Sequence, residues 1–181
     1  MKFRKIKEEF FQRNAKIVAK DLIGKILVRK IGKKELRSRI VETEAYFGES
    51  DPASWARFGK RRDNIIMWDS PGKILIKNVH KYKMLNFITG KKGIPEAVLI
   101  RALEPLNFSG RLNGPGLLTN KLNISKEFHR LSLKDSSMLW LEYDNSFDDF
   151  KIIKSKRVGV KKDLPEKLRF YVKDNRHVSR K

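Results

Sequence analysis

The run Arg39-Ile-Val-Glu-Thr-Glu-Ala-Tyr46 spaces two carboxylates and a phenol, Glu42, Glu44 and Tyr46, two residues apart. In an extended strand this spacing turns all three side chains to one face. A carboxylate that can take a proton from water, beside a ring that can stack on a flat group, is a minimal hydrolytic site for a planar substrate. The same alternation predicts Arg37, Arg39, Val41 and Thr43 on the opposite face. Arg101 adds weight to the site, because it interrupts the apolar run Ala97-Val-Leu-Ile-Arg-Ala-Leu103. A guanidinium buried in such a strand costs several kcal/mol, roughly, unless a carboxylate meets it. Glu42 or Glu44 can supply that partner. Two glutamates on a solvated strand beside lysines would be the bland interpretation, and Arg101 weighs against it.

These acids sit in a strongly basic chain of 181 residues, with 42 Lys+Arg against 21 Asp+Glu and a formal charge of +21. A field of that sign draws polyanions inward before short-range contacts form. From Lys151 to Lys181 alone there are twelve basic residues and three acidic ones. An anionic membrane would call for a long basic amphipathic helix, which the sequence lacks, so the expected partner is nucleic acid. With no cysteine, disulfides, thiol catalysis and cysteine-bound metal are excluded. His80, His129 and His177 are too far apart to form a metal-binding motif, and no metal or cofactor is expected. The N-terminal Met1-Lys-Phe-Arg-Lys-Ile-Lys7 runs into Glu8 and Glu9 rather than an apolar stretch, which predicts an intracellular protein, in the cytoplasm or nucleoid of a prokaryote.

The elements that must position the acids follow from periodicity. Ala15 to Leu22 has a helical pattern ending at Gly24. Lys25 to Lys30 and Glu35 to Tyr46, joined at Gly32, read as a hairpin that delivers the acids at the end of its second strand. A loop punctuated by Pro52, Gly59, Pro71 and Gly72 spans Gly48 to Gly72 and contains Trp55 and Trp68. Lys73 to Asn78 and Tyr82 to Phe87 form a second hairpin, and Ala97 to Leu103 a nearly apolar strand. Asn113-Gly-Pro-Gly116 reads as a structural turn before a helix from Leu117 to Leu122; it fits neither the P-loop nor the dinucleotide fingerprint. Met138 to Tyr143, Lys151 to Val160 and Leu168 to Val172 are further strands. The sum is a single domain, residues 1–181, of α+β class: a curved mixed, mostly antiparallel β-sheet with surrounding helices and a protruding β-hairpin. The tip of that hairpin, bearing Val79, His80 and Tyr82 among Lys77, Lys81 and Lys83, suits a wedge between bases or equally an ordinary solvent-exposed turn.

In order and spacing, the Arg39 to Gly48 block, Met67 to Gly72, Val98-Leu-Ile-Arg-Ala-Leu-Glu-Pro-Leu106, Asn113-Gly-Pro-Gly-Leu117, Arg157-Val-Gly-Val160 and Leu168 to Val172 resemble the alkyladenine (3-methyladenine) DNA glycosylase family. The resemblance runs from about Asn14 to Ser179. It implies a monomeric enzyme on double-stranded DNA that flips a damaged purine out of the duplex and hydrolyses its N-glycosidic bond. On that resemblance Glu44 activates the attacking water, and Arg101 and the Val158 carbonyl help hold it. Tyr46 stacks on the extruded base, and Asn86 crowds the amino group of normal guanine. The chain departs from the family at Trp55, which stands in place of a hydrogen-bonding histidine, and in the second hairpin, which is poor in tyrosine. With a one-residue gap there, Ile76 is expected to face the base and Val79 or His80 to be the wedge.

Loss of the histidine predicts a preference for cationic lesions, which an electron-rich aromatic pocket attracts. No lysine falls where the family would place an amine nucleophile, which predicts a monofunctional enzyme. Two rival readings are a non-catalytic basic module that coats DNA or structured RNA, and an enzyme acting on a formylated or aminoacylated RNA.

Overall fold

The computed structural model describes residues 4–144 and 150–180, so the start of the basic N-terminal stretch, Met1 to Phe3, lies outside the described residues. One continuous sheet runs through them, built from β1 (Ile26–Ile31), β2 (Lys34–Tyr46), β3 (Ile74–Val79), β4 (Tyr82–Thr89), β5 (Glu96–Pro105), β6 (Leu139–Glu142), β7 (Ile152–Ser155) and β8 (Arg169–Val172). Its main path is β3-β4-β5-β2-β1-β6, with β8 pairing β2 and β7 pairing β8. Every named pairing is antiparallel. Helices α1 (Ala15–Leu22) and α2 (Pro115–Lys121) complete the α+β fold.

Local chemistry accounts for the elements. The Asn14 side chain caps α1 by accepting from the Lys16 N–H at 2.9 Å. Gly32, at φ +58°, supplies the left-handed residue of the two-residue turn between β1 and β2. Strand β2 is the organising element. On one edge it pairs β5 along most of its length; on the other it pairs β1 as far as Arg39 and β8 from Glu42 to Glu44.

Where β2 changes partner, its register against β5 slips by one residue and then returns. Val41 on β2 and Arg101 on β5 are left without a partner across the ladder. A paired bulge of this kind bends the strands and re-aims side chains. It also breaks the alternation expected from sequence. Ile40 and Val41 both enter the main core, so Arg37 and Arg39 do not share a face with Val41 and Thr43. They turn instead to Glu142, Glu104 and Asp144.

The sheet has two unlike faces. On one, Val41, Ile74, Ile76, Leu85, Phe87, Val98 and Ile100 join Val18, Ala19 and Leu22 of α1 and Leu118 of α2 in the main core. On the other, the long segment after β2 lies over the sheet and packs Ala56, Ile66 and Met67 against Leu75, Ile88 and Ala97. That segment is less irregular than predicted, since Trp55–Phe58 and Ile65–Trp68 are 3-10 turns. Strand β7 ends at Ser155 rather than Val160, because Arg157 turns inward to pair with Asp51 and Asp163.

The second hairpin is braced close to its tip. Thr119 of α2 donates to the Lys83 carbonyl at 2.8 Å. Gly116 lies so close to Tyr82 that an added Cβ would fall 2.5 Å from its Cδ1 and 2.9 Å from its Cβ. Asn113-Gly-Pro-Gly116 is therefore a docking platform for the hairpin. Gly116→Ala should cost about 1–3 kcal/mol by overpacking, since the clash reaches the root of the tyrosine; thermal melting and faster amide exchange in β3 and β4 would report it. The outer edge of β3 is covered too. Ile74 exchanges backbone hydrogen bonds with Arg130 and Leu131, and the Ile76 N–H donates to His129 Nδ1 at 3.2 Å. His129 is a half-buried brace whose pKa is pushed down by burial and by Arg130 and Lys126.

Candidate active site

The β2–β5 bulge brings two carboxylates onto one guanidinium. Arg101 Nε lies 3.1 Å from Glu42 Oε1 and 3.5 Å from Glu44 Oε1, and its Nη1 lies 3.5 Å from Glu44 Oε2. The two acids are engaged differently. Glu42 also accepts from Arg169 Nε at 2.7 Å and from the Ser179 backbone N–H and hydroxyl at 2.6 and 2.9 Å. It is locked between two arginines and the C-terminal segment. Glu44 accepts from the Val158 N–H at 2.7 Å and from the Tyr46 hydroxyl at 2.8 Å.

Glu44 has no exposed surface. Burial pushes its pKa up, and the nearby charge of Glu42 adds to this; Arg101, the Val158 N–H and the Tyr46 hydroxyl pull the other way without cancelling it. Burial and the charge of Glu44 hold the Tyr46 phenol well above its ordinary pKa, so it remains a donor. The Val158 carbonyl accepts from Arg101 Nη1 at 3.4 Å. One peptide segment thus touches both the acid and its guanidinium. The bend that allows this lies at Gly159, whose φ of +76° an L side chain rarely adopts.

Tyr46 links this cluster to a cavity of about 230 Å³. Its walls are Tyr46, Trp55, Met67, Leu75, Lys77, Met84, Asn86 and Leu99, and Val79, Gly159 and Val160 close it. Such a lining, mostly apolar with a few polar groups, suits a small flat ligand. Asn86 donates through Nδ2 to the Met84 and Leu75 carbonyls at 3.0 and 3.4 Å, leaving Oδ1 as the atom it can offer. A hollow of about 750 Å³ near Arg4, Phe10 and Tyr143 is larger but shares no residue with this cluster.

Of the residues expected at the site, Glu44, Tyr46, Arg101, Val158, Trp55 and Asn86 come together. Ile76 does not. Pairing of β3 with β4 puts Leu75 opposite Asn86 and Lys77 opposite Met84, so Leu75 and Lys77 take the cavity face and Ile76 enters the main core. At the tip, His80 is exposed with φ +53°, whereas Val79 is a cavity wall and Tyr82 packs on Gly116.

Arg157 was not foreseen as part of the site. It binds Asp51 through two 2.7 Å contacts and Asp163 at 2.7 and 2.9 Å, and its guanidinium stacks on the Tyr46 ring at 4.6 Å. Its place in Arg157-Val-Gly-Val160 was the only signal. Arg169, another partner of Glu42, had the same kind of signal in the Leu168 to Val172 block, and Ser179 carried none.

Comparison with known proteins gives the family. The sequence profile of methylpurine-DNA glycosylases matches residues 9–176. A provisionally named 3-methyladenine DNA glycosylase of Borrelia garinii subsp. bavariensis is 40% identical over 183 residues, covering 95% of this chain and 98% of that protein. One of the same name from Legionella pneumophila strain Corby is 39% identical over 182 residues, covering 98% and 99%. The chain belongs to the methylpurine-DNA glycosylase family.

Proposed function

We propose that this protein is a base-excision repair glycosylase that acts as a monomer on duplex DNA, rotates an alkylated or deaminated purine nucleotide into the cavity beside Tyr46, and hydrolyses its N-glycosidic bond. Extrusion costs a few kcal/mol, roughly, and less for a base that pairs badly. Glu44 takes one proton from a water whose oxygen bonds to the sugar C1′ as the base departs, and an abasic site remains. Arg101 and Val158 position the carboxylate and the water. The observation that carries the reading is an acid with no exposed surface, its pKa raised, tied through the Tyr46 hydroxyl to an aromatic-walled cavity in a protein of charge +21. A module that merely coats nucleic acid has no use for such a carboxylate.

The test is release of free base from alkylated duplex DNA, with undamaged duplex as control; no release sinks the proposal. The groups that touch Glu44 are Tyr46, Arg101 and Val158, none of them an amine, and the amine of the cavity wall, Lys77, is not among them, which supports a monofunctional enzyme. A covalent adduct trapped with borohydride would contradict this.

Tyr46→Phe gives a sharper check on the acid. Loss of the phenol donor removes a contact that favours the ionised form, so the Glu44 pKa moves further up. The acid limb of the pH–rate profile should shift to higher pH, with base stacking preserved. An unmoved limb would separate Glu44 from the rate-determining ionisation.

A further inference from the structure

We propose that Lys77 sets which lesions the cavity accepts: its ammonium donates a hydrogen bond to an acceptor on the edge of a neutral flipped purine and repels purines made cationic by alkylation. This rests on the glycosylase reading above. It reverses the expectation that cationic lesions are preferred.

Strand parity puts Lys77 in the cavity wall beside Leu75 and Val79. Its Nζ lies 5.2 Å from the centre of the Trp55 ring. The attraction of that ring for a cation is thus already used by a residue of the protein. Tyr46 likewise has Arg157 against its ring, but Asp51 and Asp163 neutralise that guanidinium.

Lys77 has no such compensation: among the described residues no carboxylate pairs with it. Glu42 and Glu44 are engaged by Arg101, Arg169, Val158 and Ser179. Burial and the neighbouring charge of Arg57 press the Lys77 pKa down, as for a cation without a counter-ion. A hydrogen-bond donor of this kind is completed by a purine acceptor such as N7, O6 or the ring nitrogen at position 6 of ethenoadenine. A second full positive charge on the base would instead face it across a few ångströms of poorly solvated space, a penalty of roughly 10- to 100-fold after screening.

The experiment is single-turnover release of 1,N6-ethenoadenine and hypoxanthine, both neutral, and of cationic 3-methyladenine from otherwise identical duplexes. Wild type is compared with Lys77→Met, which keeps the aliphatic stem, Lys77→Gln, which keeps a neutral donor, and Lys77→Arg, which keeps the charge. Taking ratios cancels the greater intrinsic lability of the cationic nucleotide. The neutral-to-cationic ratio should fall at least about tenfold in Lys77→Met, partly recover in Lys77→Gln and stay near wild type in Lys77→Arg. A ratio unchanged in both neutral variants, with wild type releasing bases normally, overturns the role of Lys77 and leaves the glycosylase reading intact. Failure of wild type to release any base overturns both.

Discussion

Replacing Glu44 with glutamine should lower the rate of base release by about 10²–10⁴-fold, the usual contribution of a positioned general base, while binding to damaged duplex stays close to wild type. Glutamine keeps the shape: its Oε1 can still accept from the Val158 N–H, and its Nε2, in place of the second oxygen, can donate to the Tyr46 hydroxyl, which turns from donor to acceptor. What it loses is basicity. The stability of this variant is equally informative. The folded-state pKa of Glu44 is raised, so its contribution to stability is present at low pH and lost as pH rises through the folded value. Above that value the ionised acid is held at a cost, and there Glu44→Gln should melt at or above wild type. Single-turnover kinetics, duplex-binding titrations and thermal melts check all three expectations. Retained turnover, or a melting temperature lowered by more than about 3 °C, the equivalent of ~1 kcal/mol at this chain length, would assign Glu44 a structural role instead.

Arg157→Met should destabilise the fold by about 3–5 kcal/mol, as expected when one partner of a buried ion pair is removed. The guanidinium and the Asp51 carboxylate have no exposed side-chain surface, and methionine would leave Asp51 with only the Phe47 and Ala53 N–H groups. Lysine would be no remedy, because it cannot hold Asp51 in a two-point grip, reach Asp163 and lie flat on Tyr46 at once. The pH dependence identifies the pair. Burial alone would raise the Asp51 pKa, but hydrogen bonds from Arg157 and two backbone N–H groups outweigh it and the value falls below that of an ordinary aspartate. This contribution is therefore complete above the unfolded pKa of about 3.9 and fades as pH drops through the lower folded value. Denaturant titrations across that range should show a steeper acid loss for wild type than for Arg157→Met. Parallel slopes would detach Asp51 from the effect.

Much of the frame is legible in the residues because local chemistry and periodicity agree there. Gly24 marks the end of α1, Gly32 the β1–β2 turn, and Arg101 in an apolar strand announces a buried acid across from it. What could not be read depends on tertiary contacts. The bulge at Val41 arises because β2 exchanges β1 for β8, a choice invisible in β2 alone, and it overturns the simple alternation that assigned Arg37 and Arg39 to the wrong face. Ile76 was placed at the base by aligning a tyrosine-poor hairpin across a supposed gap. Its register is fixed instead by the two-residue turn at His80 and Lys81, which makes Lys77 the wall residue. The inward turn at Arg157 likewise needs Asp51, far away in sequence, to be intelligible.

The strands divide the labour of the site. Acid, guanidinium and anchor come from β2, β5 and β8, whereas Leu75, Lys77, Met84 and Asn86, which would meet the purine edge, come from β3 and β4. Changes of taste in such a scaffold need only redecorate one ribbon, while the bond-breaking apparatus sits in a different part of the weave, out of reach of that drift. Descendants of this chain can acquire new damaged bases to remove without ever rebuilding the means of removing them.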